Sequence, residues 1–356
     1  MKRLLLAVGE ASGDALAAAL LPRLRALAPD LEVRAVAGPR LRSAGVEVLA
    51  RAEAVTAVGL VEVAGVLPSA LRLLRLVDRE LERWRPDALL TVDSPDLMLR
   101  VAALGRAKGV RTVHLVSPQV WAWRPGRVRE VARCVDTLLC LFPHEPALYR
   151  GLGVRAVFVG HPAAERLRAL PSPRLPGVVA LLPGSREREV RALWPVYREV
   201  VRLLREAAPG LEVEILRAPT VESAWLSGVG GALVEDVAAL RAEVALVASG
   251  TATLELALRG LPMVVAYQVH PLTWEVGRRL VRVRHLSLPN LLVEAPVVPE
   301  HLQRLDPPAL AASLLQTAAA PDAQRSAFAG LAARLDPGDA LGRMAAEVMA
   351  RGPRLV

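Results

Sequence analysis

Two carboxylates on either side of a proline, Asp93 and Asp96, are the residues of this chain best suited to acid–base chemistry. They follow the apolar run 86–92, which the pattern predicts as a buried strand. Ligands of open α/β sheets bind outside the carboxyl ends of the strands, so both side chains are expected beside a cleft. We expect Asp93 to act as a general base and Asp96 to cap a helix, with capping as the alternative for Asp93.

A third carboxylate, Glu10, lies in the glycine-containing turn 9–14, directly after the apolar run 4–8. The glycine spacing differs from the dinucleotide-binding fingerprint, so the sequence predicts no NAD site. Such a turn can instead bring Glu10 and the backbone close to a polar ligand. We expect Ser12 and Asp14 in the same turn to be helix caps.

The small residues Ser249, Gly250 and Thr251 separate a second apolar run, 244–248, from a helical pattern that ends before the strand pattern 263–267. The turn leaves unpaired N–H groups and two hydroxyls at the positive end of a helix, an arrangement that favours phosphate binding. The alternative is an ordinary turn with a Ser or Thr cap. Another glycine turn, 183–186, places Arg186 at a helix start, which also suits a phosphate.

The segment 117–129 brings two tryptophans, Trp121 and Trp123, close to Arg124 and Arg127. In a loop after a strand, this combination suggests a wall for a sugar or an acyl chain with guanidinium groups nearby. The alternative is a hydrophobic lid. His114 lies within the preceding strand pattern, and we expect it to be a core histidine.

The stretch 55–76 is almost entirely apolar and passes into a helix that carries arginines. Gly59, Gly65 and Pro68 break it, so it is not expected to span a bilayer. With Leu60 and Val66 it would suit a surface that dips into a membrane interface, and the alternative is core packing.

The composition supports two domains with real cores, since 53% of the 356 residues are hydrophobic. The net charge of +9 suits an anionic partner. Aromatic residues make up only 3% and no basic run is interleaved with them, which argues against nucleic-acid binding. Cys134 and Cys140 show no metal-ligand pattern and are expected to be reduced. The first residues, through Val8, are too few for a signal peptide or a membrane span and are predicted as a strand.

Strand and helix patterns alternate twice along the chain, which predicts two α/β domains with doubly wound parallel sheets. The proline-rich segment 166–177 is predicted to be the linker between a first domain, 1–165, and a second domain, 178–335. The last part of the chain reads as Ala-rich helices.

Nine short motifs occur in one order along most of the chain, and as a set they are highly specific. They are GEASGD (9–14), AGPR (37–40), GLVEV (59–63), DSPD (93–96), SPQVWAWR (117–124), LPGSR with a following Glu (182–189), SGTATLE (249–255), PMVVAY (262–267) and SLPN (287–290). Together they resemble the bacterial lipid-A-disaccharide synthase family, glycosyltransferases of the GT-B type.

The resemblance implies two Rossmann-like domains facing a cleft, with the C-terminal segment, 336–356, packed back on the first domain. It implies transfer from UDP-2,3-diacylglucosamine to 2,3-diacylglucosamine 1-phosphate (lipid X), with inversion, to give the β-1,6 disaccharide 1-phosphate and UDP. Neither a metal nor another cofactor is expected. The protein would lie peripherally on the cytoplasmic face of the inner membrane, with a homodimer possible in the family.

The resemblance also distributes roles among the candidate residues. Asp93 matches the aspartate that the family needs, and Glu10 would lie near the acceptor, with Arg124 or Arg127 near its 1-phosphate. The acceptor or its lipid would also meet Trp121, Trp123, Leu60 and Val66. The donor's UDP would be held by Arg186, Ser249, Gly250, Thr251 and Ala252, its ribose by Glu255, with Asn290 and Gln303 as weaker donor-side candidates. The alternatives are another GT-B enzyme of UDP-sugars, either a glycolipid transferase or an epimerase, and a non-catalytic nucleotide- or membrane-binding module.

Overall fold

A computed structural model describes residues 1–55, 62–121, 126–168, 174–269 and 285–350 of the chain. The chain divides into two compact units. Met1–Pro162 and Pro337–Val356 form the first unit, and Ala163–Asp336 form the second. The chain therefore leaves the first unit and returns to it at the end.

The first unit is built on a seven-stranded parallel sheet with the strand order β3-β2-β1-β4-β5-β6-β7. Its strands are β1 (Arg3–Val8), β2 (Glu32–Ala37), β3 (Glu47–Arg51), β4 (Ala88–Val92), β5 (Arg111–Leu115), β6 (Thr137–Cys140) and β7 (Arg155–Phe158). Its helices are α1 (Ala11–Leu27), α2 (Pro39–Ser43), α3 (Glu62–Trp84), α4 (Pro95–Ala107) and α5 (Arg127–Cys134), and α6 (Pro162–Arg168) leads into the second unit. The order reverses direction between β1 and β4, so the ends of these two strands form a switch point.

The second unit contains a six-stranded parallel sheet with the order β10-β9-β8-β11-β12-β13. Its strands are β8 (Leu175–Leu182), β9 (Glu212–Leu216), β10 (Ala232–Val234), β11 (Ala242–Ala248), β12 (Met263–Tyr267) and β13 (Glu300–Leu302). Its helices are α7 (Glu187–Ala207), α8 (Thr251–Leu258), α9 (Leu288–Val293), α10 (Pro307–Ala319) and α11 (Asp322–Leu335). Here too the central strands are apolar on both faces, as expected for parallel strands covered by helices.

The last helix, α12 (Ala340–Met349), completes the core of the first unit. Ala340, Met344 and Val348 are fully buried in the same cluster as the residues of β1. The Arg111 guanidinium fixes the end of α12 by donating to the carbonyl oxygens of Val348 at 2.7 Å and Glu347 at 2.8 Å. These carbonyls are the ones that a helix C-terminus leaves unpaired.

From Glu62 onward, the apolar stretch 55–76 is less broken than the sequence suggests, because α3 begins at Glu62 and continues through Pro68. Leu73, Val77 and Leu81, each one helical turn apart, are buried, and this packing outweighs the low helix propensity of proline. Leu60 lies outside the described residues, as does the side chain of Val66. Among the helices that the structure describes, none has the length and apolar character needed to cross a bilayer.

The predicted linker, 166–177, is shorter at both ends than the sequence indicates. Arg166 belongs to α6, which begins with Pro162 at a position that favours proline, and Leu175 already pairs with Ala242 in the second sheet. Residues 169–173 lie outside the described part of the chain.

Candidate active site

Asp93 lies at the carboxyl end of β4, at the switch point of the first sheet. Its backbone φ is +54° and that of Ser94 is +42°, a left-handed conformation that is uncommon outside glycine. The Asp93 N–H still donates to the carbonyl of Leu115 at 2.9 Å, so the turn remains tied to β5. Pro95 then starts α4 at the position where proline is favoured.

The turn after β1 packs directly against Asp93. Ser12 Oγ donates to Asp93 Oδ2 at 2.8 Å, so Ser12 is not the helix cap that the sequence suggests. A Cβ on Gly13 would lie 3.1 Å from the Val92 carbonyl, and one on Gly9 would lie 2.6 Å from the Ser94 Cβ. The two glycines are therefore required by this close approach of α1 to the end of β4.

The other two acidic residues of this turn, Asp14 and Glu10, differ in burial. Asp14 is buried and accepts from the N–H groups of Arg40 at 2.8 Å and Leu41 at 3.2 Å, so it caps α2 and not α1 as predicted. Glu10 is exposed at the N-cap position of α1. It lies one residue before the helix whose Ser12 holds Asp93.

A cavity of about 290 Å³ opens beside Asp93, and we call it the Asp93 cavity. Its charged or ionisable lining residues are Asp93, Arg127 and Glu145. The remaining lining residues are Pro95, Val116, Ser117, Pro118, Gln119, Val120, Leu141 and Phe142. The cavity thus combines a fixed carboxylate, a guanidinium and an apolar wall at the carboxyl ends of β4, β5 and β6.

Arg127, at the start of α5, pairs with Asp96 and with Glu130, the latter at 3.2 Å. The expected capping role of Asp96 is therefore wrong, because its carboxylate is turned to Arg127. A neighbouring pocket of about 440 Å³ brings Arg127 together with Arg100, Asp96 and Glu130. Trp123 and Arg124, expected next to these groups, lie outside the described residues.

Trp121 packs in an aromatic group at the edge of this region. Its ring meets His144 edge-on at 5.1 Å and Phe142 at 6.4 Å between centroids. Phe142 itself lines the Asp93 cavity. The indole therefore supports the cavity wall from one side.

Glu145 also lines the Asp93 cavity, and the sequence analysis did not single it out. It is 1% exposed, and its Oε2 accepts from the N–H of Phe142 at 3.2 Å. Burial raises the pKa of Glu145 to about 8. The available signal was a carboxylate shortly after the apolar run of β6, and it became visible only when that strand was placed beside β5.

His114 is buried in β5, as expected of a core histidine, and its Nδ1 lies 2.8 Å from Thr91 Oγ1. Burial lowers its pKa to about 4, so the ring is neutral at pH 7. The imidazole therefore adds no positive charge near Asp93.

The second unit contains the predicted strand–turn–helix–strand arrangement, with β11, α8 and β12 in the expected places. Gly250 occupies the N-cap position of α8, and Thr251 and Ala252 form its first turn. Around the position that a Cβ on Gly250 would take, no heavy atom of the described residues lies within 4 Å. As far as the structure describes the chain, the helix N-terminus is therefore open, and we call 249–252 the Ser249 turn.

A loop is held against the Ser249 turn by one carboxylate, Glu300. Ser249 Oγ donates to the Leu286 carbonyl at 3.2 Å, and Glu300 accepts from the N–H groups of Leu286 and Ser287, both at 2.9 Å. Glu300 also accepts from Ser287 Oγ at 2.6 Å and from Asn290 Nδ2 at 2.8 Å. This organising role of Glu300 was not predicted from the sequence.

Asn290 stabilises that loop. This corrects the prediction that its side chain binds the donor. It is 1% exposed, its Oδ1 accepts from the Val298 N–H at 2.7 Å, and its Nδ2 donates to the Val298 carbonyl at 2.8 Å. With Glu300 as a further acceptor, the amide has spent its donors, so the side chain is not available to a ligand.

Gln303 lies at the carboxyl end of β13 with a φ of +67°. Its Oε1 accepts from the Val269 N–H at 3.1 Å, whereas its buried Nε2 makes no hydrogen bond to any residue that the structure describes. Arg186 is exposed directly before α7 and lies 3.7 Å from Glu189. Gly184 has a φ of +106° and gives the turn before Arg186 its shape.

Glu255 projects from the second turn of α8 toward Arg166, at 3.5 Å. Arg166 also pairs with Asp236 at 3.1 Å. Burial raises the pKa of Glu255, and the guanidinium opposes that change. The carboxylate is thus held in place by a charge on α6.

Within the described ranges, no group of three or more His, Cys, Asp or Glu side chains has the arrangement of a metal site. Cys134 and Cys140 are free thiols, and Cys140 is buried.

Comparisons with known proteins define the class first. The chain resembles the glycotransferase of kitacinnamycin with a TM-score of 0.66 and 17% identity, over 97% of this chain and 98% of that one. It resembles the UDP-GlcNAc 2-epimerase of Neisseria meningitidis with a TM-score of 0.63 and 13% identity, over 95% and 97% of the two chains. The fold is α/β of the GT-B type, with two Rossmann-like parallel sheets, and transferases and an epimerase share it.

Sequence similarity then gives the family. The family model described as lipid-A-disaccharide synthetase matches residues 4–325. The lipid-A-disaccharide synthase of Anaeromyxobacter dehalogenans is 41% identical over 98% of this chain and 97% of its own length. The chain therefore belongs to the lipid-A-disaccharide synthetase family and is a glycosyltransferase of lipid A synthesis.

Proposed function

We propose that this enzyme transfers 2,3-diacylglucosamine from its UDP derivative to the 6-hydroxyl of lipid X, giving the β-1,6 disaccharide 1-phosphate and UDP. The observation that carries the proposal is Asp93, held by Ser12 in a cavity that also contains Arg127, in a chain of this family. The first unit binds the acceptor and the second unit binds the donor.

The reaction proceeds by a single in-line displacement, which inverts the configuration at the donor C1. The acceptor oxygen forms its bond to C1 while the bond from C1 to the UDP oxygen breaks, and UDP leaves with that electron pair. The hydroxyl proton passes to the Asp93 carboxylate. Because Ser12 fixes the carboxylate, the base is oriented before the acceptor arrives.

The departing diphosphate is stabilised by the open end of α8 and by arginine. The N–H groups of Gly250, Thr251 and Ala252 and the Thr251 hydroxyl belong to the positive end of the α8 dipole and bind the diphosphate, whereas Ser249 contributes by shaping the turn, since its hydroxyl donates to the Leu286 carbonyl. Arg186 contributes a guanidinium with high exposure and a weak partner at 3.7 Å. Glu255 binds the ribose hydroxyls, Gln303 donates from its Nε2, and no metal takes part.

The acceptor's 1-phosphate binds at Arg127 with Arg124, while Trp121 and Trp123 support its sugar or acyl chains and Glu10 lies at the edge of its site. Moving acyl chains into water costs roughly 0.8 kcal/mol per CH₂, so the substrates stay at a membrane. We therefore infer that the protein works peripherally at the cytoplasmic face of the inner membrane, with Leu60 and Val66 at the interface. The family resemblance allows a homodimer, and we expect no nucleic acid as a partner.

The decisive experiment is turnover of UDP-2,3-diacylglucosamine with lipid X, with and without EDTA. The expected products are a disaccharide 1-phosphate and UDP in equal amounts, at a rate unchanged by EDTA. Free sugar without a disaccharide would contradict the proposal, and an EDTA-sensitive rate would contradict its metal-free mechanism. Sedimentation with liposomes tests the membrane part, because Leu60→Asp and Val66→Asp should partition less than the wild type.

A further inference from the structure

The Asp93 cavity contains two carboxyl groups in opposite surroundings. Asp93 lies at a strand end, and its two oxygens accept hydrogen bonds from Ser12 Oγ and from the Ser94 N–H, both at 2.8 Å. Glu145 is 99% buried, and its Oε1 makes no hydrogen bond within the described part of the chain. The proposed transfer uses Asp93 as its base and gives Glu145 no task.

The hydrogen bonds of Glu145 show where a proton would lie. Oε2 accepts from the Phe142 N–H at 3.2 Å and thus acts as the carbonyl oxygen of the acid. Oε1 makes no hydrogen bond within the described residues, although the Trp121 and Ser117 side chains lie close enough to lower the pKa of the group, so Oε1 is the oxygen to which we assign the proton. Burial raises the pKa of this carboxyl to about 8, so the acid is mostly neutral at pH 7.

Burial is what favours the neutral form of Glu145, because the backbone of Phe142 and Leu141 and the side chains of Trp121 and Ser117 act in the opposite direction and lower its pKa. Tyr149 and Cys140 lie nearby, and burial raises the pKa of both, to about 12 for Tyr149. The Tyr149 hydroxyl is bonded to Ser117 Oγ at 3.0 Å. Across the cavity, Asp93 is a carboxylate and Arg127 is already paired with Asp96 and Glu130.

We propose that Glu145 is a second acceptor-binding residue, a neutral carboxylic acid whose Oε1–H donates a hydrogen bond to an oxygen of the sugar that presents its hydroxyl to Asp93. This inference rests on the proposed function, because it assigns the acceptor sugar to the Asp93 cavity. An ionised carboxylate in this place would repel a phosphorylated acceptor, whereas the neutral acid donates without adding charge. Glu145 keeps its proton throughout the transfer.

Two variants of one size separate a donor from a structural support. Glu145→Gln keeps an N–H donor and a carbonyl oxygen, whereas Glu145→Leu keeps only the volume. We expect Glu145→Leu to raise the KM for lipid X about tenfold, the usual effect of losing one hydrogen bond, and Glu145→Gln to stay within about threefold of the wild type. The KM for the UDP-sugar should not change in either variant.

Glu214→Gln provides the matched control, because Glu214 is also a buried carboxyl, 3% exposed, that accepts from backbone N–H groups in the second unit. Its KM for lipid X should equal that of the wild type. The proposal is overturned if Glu145→Leu leaves the KM for lipid X unchanged. It is also overturned if Glu145→Leu raises the KM values of both substrates equally, which a merely structural role would explain.

Trp121 gives a competing partner for Oε1, because its buried Nε1 likewise makes no hydrogen bond within the described residues. Trp121→Phe removes that donor and keeps a ring. If Trp121→Phe reproduces the whole effect of Glu145→Leu, the carboxyl serves the indole and the proposal fails. A near-normal KM for lipid X in Trp121→Phe supports a bond to the ligand.

Direct binding distinguishes failure of this inference from failure of the proposed function. If the wild type forms no disaccharide, the proposed function is wrong, and calorimetric titration with lipid X in detergent micelles then decides the role of Glu145. An affinity about tenfold weaker for Glu145→Leu than for Glu145→Gln supports the inference. Equal affinities of these two variants and the wild type overturn it.

Discussion

Ser12 Oγ donates a hydrogen bond to Asp93 Oδ2 at 2.8 Å and thereby joins the turn after β1 to the turn after β4. The second carboxylate oxygen accepts from the neighbouring Ser94 N–H, also at 2.8 Å. Both bonds fix the plane of the Asp93 carboxyl group. Two elements far apart in the sequence therefore set the orientation of the group that we propose as the base.

Asp93→Asn keeps the shape of the side chain and removes its ability to take a proton. We expect the rate of disaccharide formation to fall by at least roughly 10²-fold, the usual contribution of a general base. Circular dichroism and the KM for the UDP-sugar should match the wild type. Unchanged turnover would show that another group accepts the proton.

Ser12→Ala removes only the bond that orients Asp93. We expect kcat to fall about tenfold, because loss of one hydrogen bond to a charged group corresponds to about this factor, with little change in either KM. Ser43→Ala is the control, since the Ser43 hydroxyl bonds to the Pro39 carbonyl on an exposed helix. A kcat equal to that of the wild type would mean that Ser94 alone orients the base.

Gly250→Val tests whether the glycine of the Ser249 turn serves a ligand or the fold. Its backbone is extended, and no heavy atom of the described residues lies within 4 Å of the position of a Cβ, so we expect the fold to tolerate a side chain. We expect normal thermal stability and a KM for the UDP-sugar raised at least roughly tenfold, because the side chain covers the helix N-terminus. Gly210→Val, at another open position, should change neither quantity.

Arg111→Met tests the attachment of the last helix. The guanidinium donates to the carbonyls of Glu347 and Val348, so its loss should destabilise α12 by roughly 2 kcal/mol. Hydrogen exchange should become faster in 340–349 and in the facing part of α1. The exposed Arg40→Met serves as the control, and equal exchange in the two variants would exclude this role for Arg111.

The free energy of unfolding should depend on pH, because burial lowers the pKa of His114 in the folded protein. Its pKa is about 4 in the folded protein and about 6.5 in an unfolded chain. Between these values the unfolded state binds more protons, so stability falls as the pH falls from 6.5 towards 4, by up to roughly 1.4 kcal/mol per unit.

His114→Gln should remove this slope. Glu145, with its raised pKa of about 8, contributes the opposite slope above pH 4.5 in both proteins, so the difference between wild type and variant is the quantity to measure. Urea midpoints at pH 4.5 to 7 give that difference. Parallel curves for the two proteins would show that His114 titrates normally in the folded state.

Much of the fold was predictable because central strands of parallel sheets are continuous apolar runs. β1, β11 and β12 are of this kind, and the predicted span of β12 agrees with the structure. β3 and β13 went unpredicted, since β3 is half-exposed at a sheet edge and β13 has only three residues. Edge strands carry a weak periodic signal, and their partners lie far away in the sequence.

The candidate site was predictable only as far as it follows strand ends. Asp93 and the Ser249 turn directly follow apolar runs. Their location at the carboxyl ends of two strands was therefore predictable. The role of Asn290 was misjudged because its partner Val298 is brought close only by the loop around Glu300. Glu145 was missed because burial, which gives it its character, is a property of the folded chain.

Because α12 returns to the first unit, the hydrophobic core of that unit can be completed only late in translation. The core around β1 lacks Ala340, Met344 and Val348 until almost the whole chain has been translated, including all of the second unit. The apolar surface that α12 later covers must therefore stay exposed on the first unit while the second unit is synthesised. A nascent chain arrested before residue 340 would expose that surface, and this makes the early portion a natural client for chaperones.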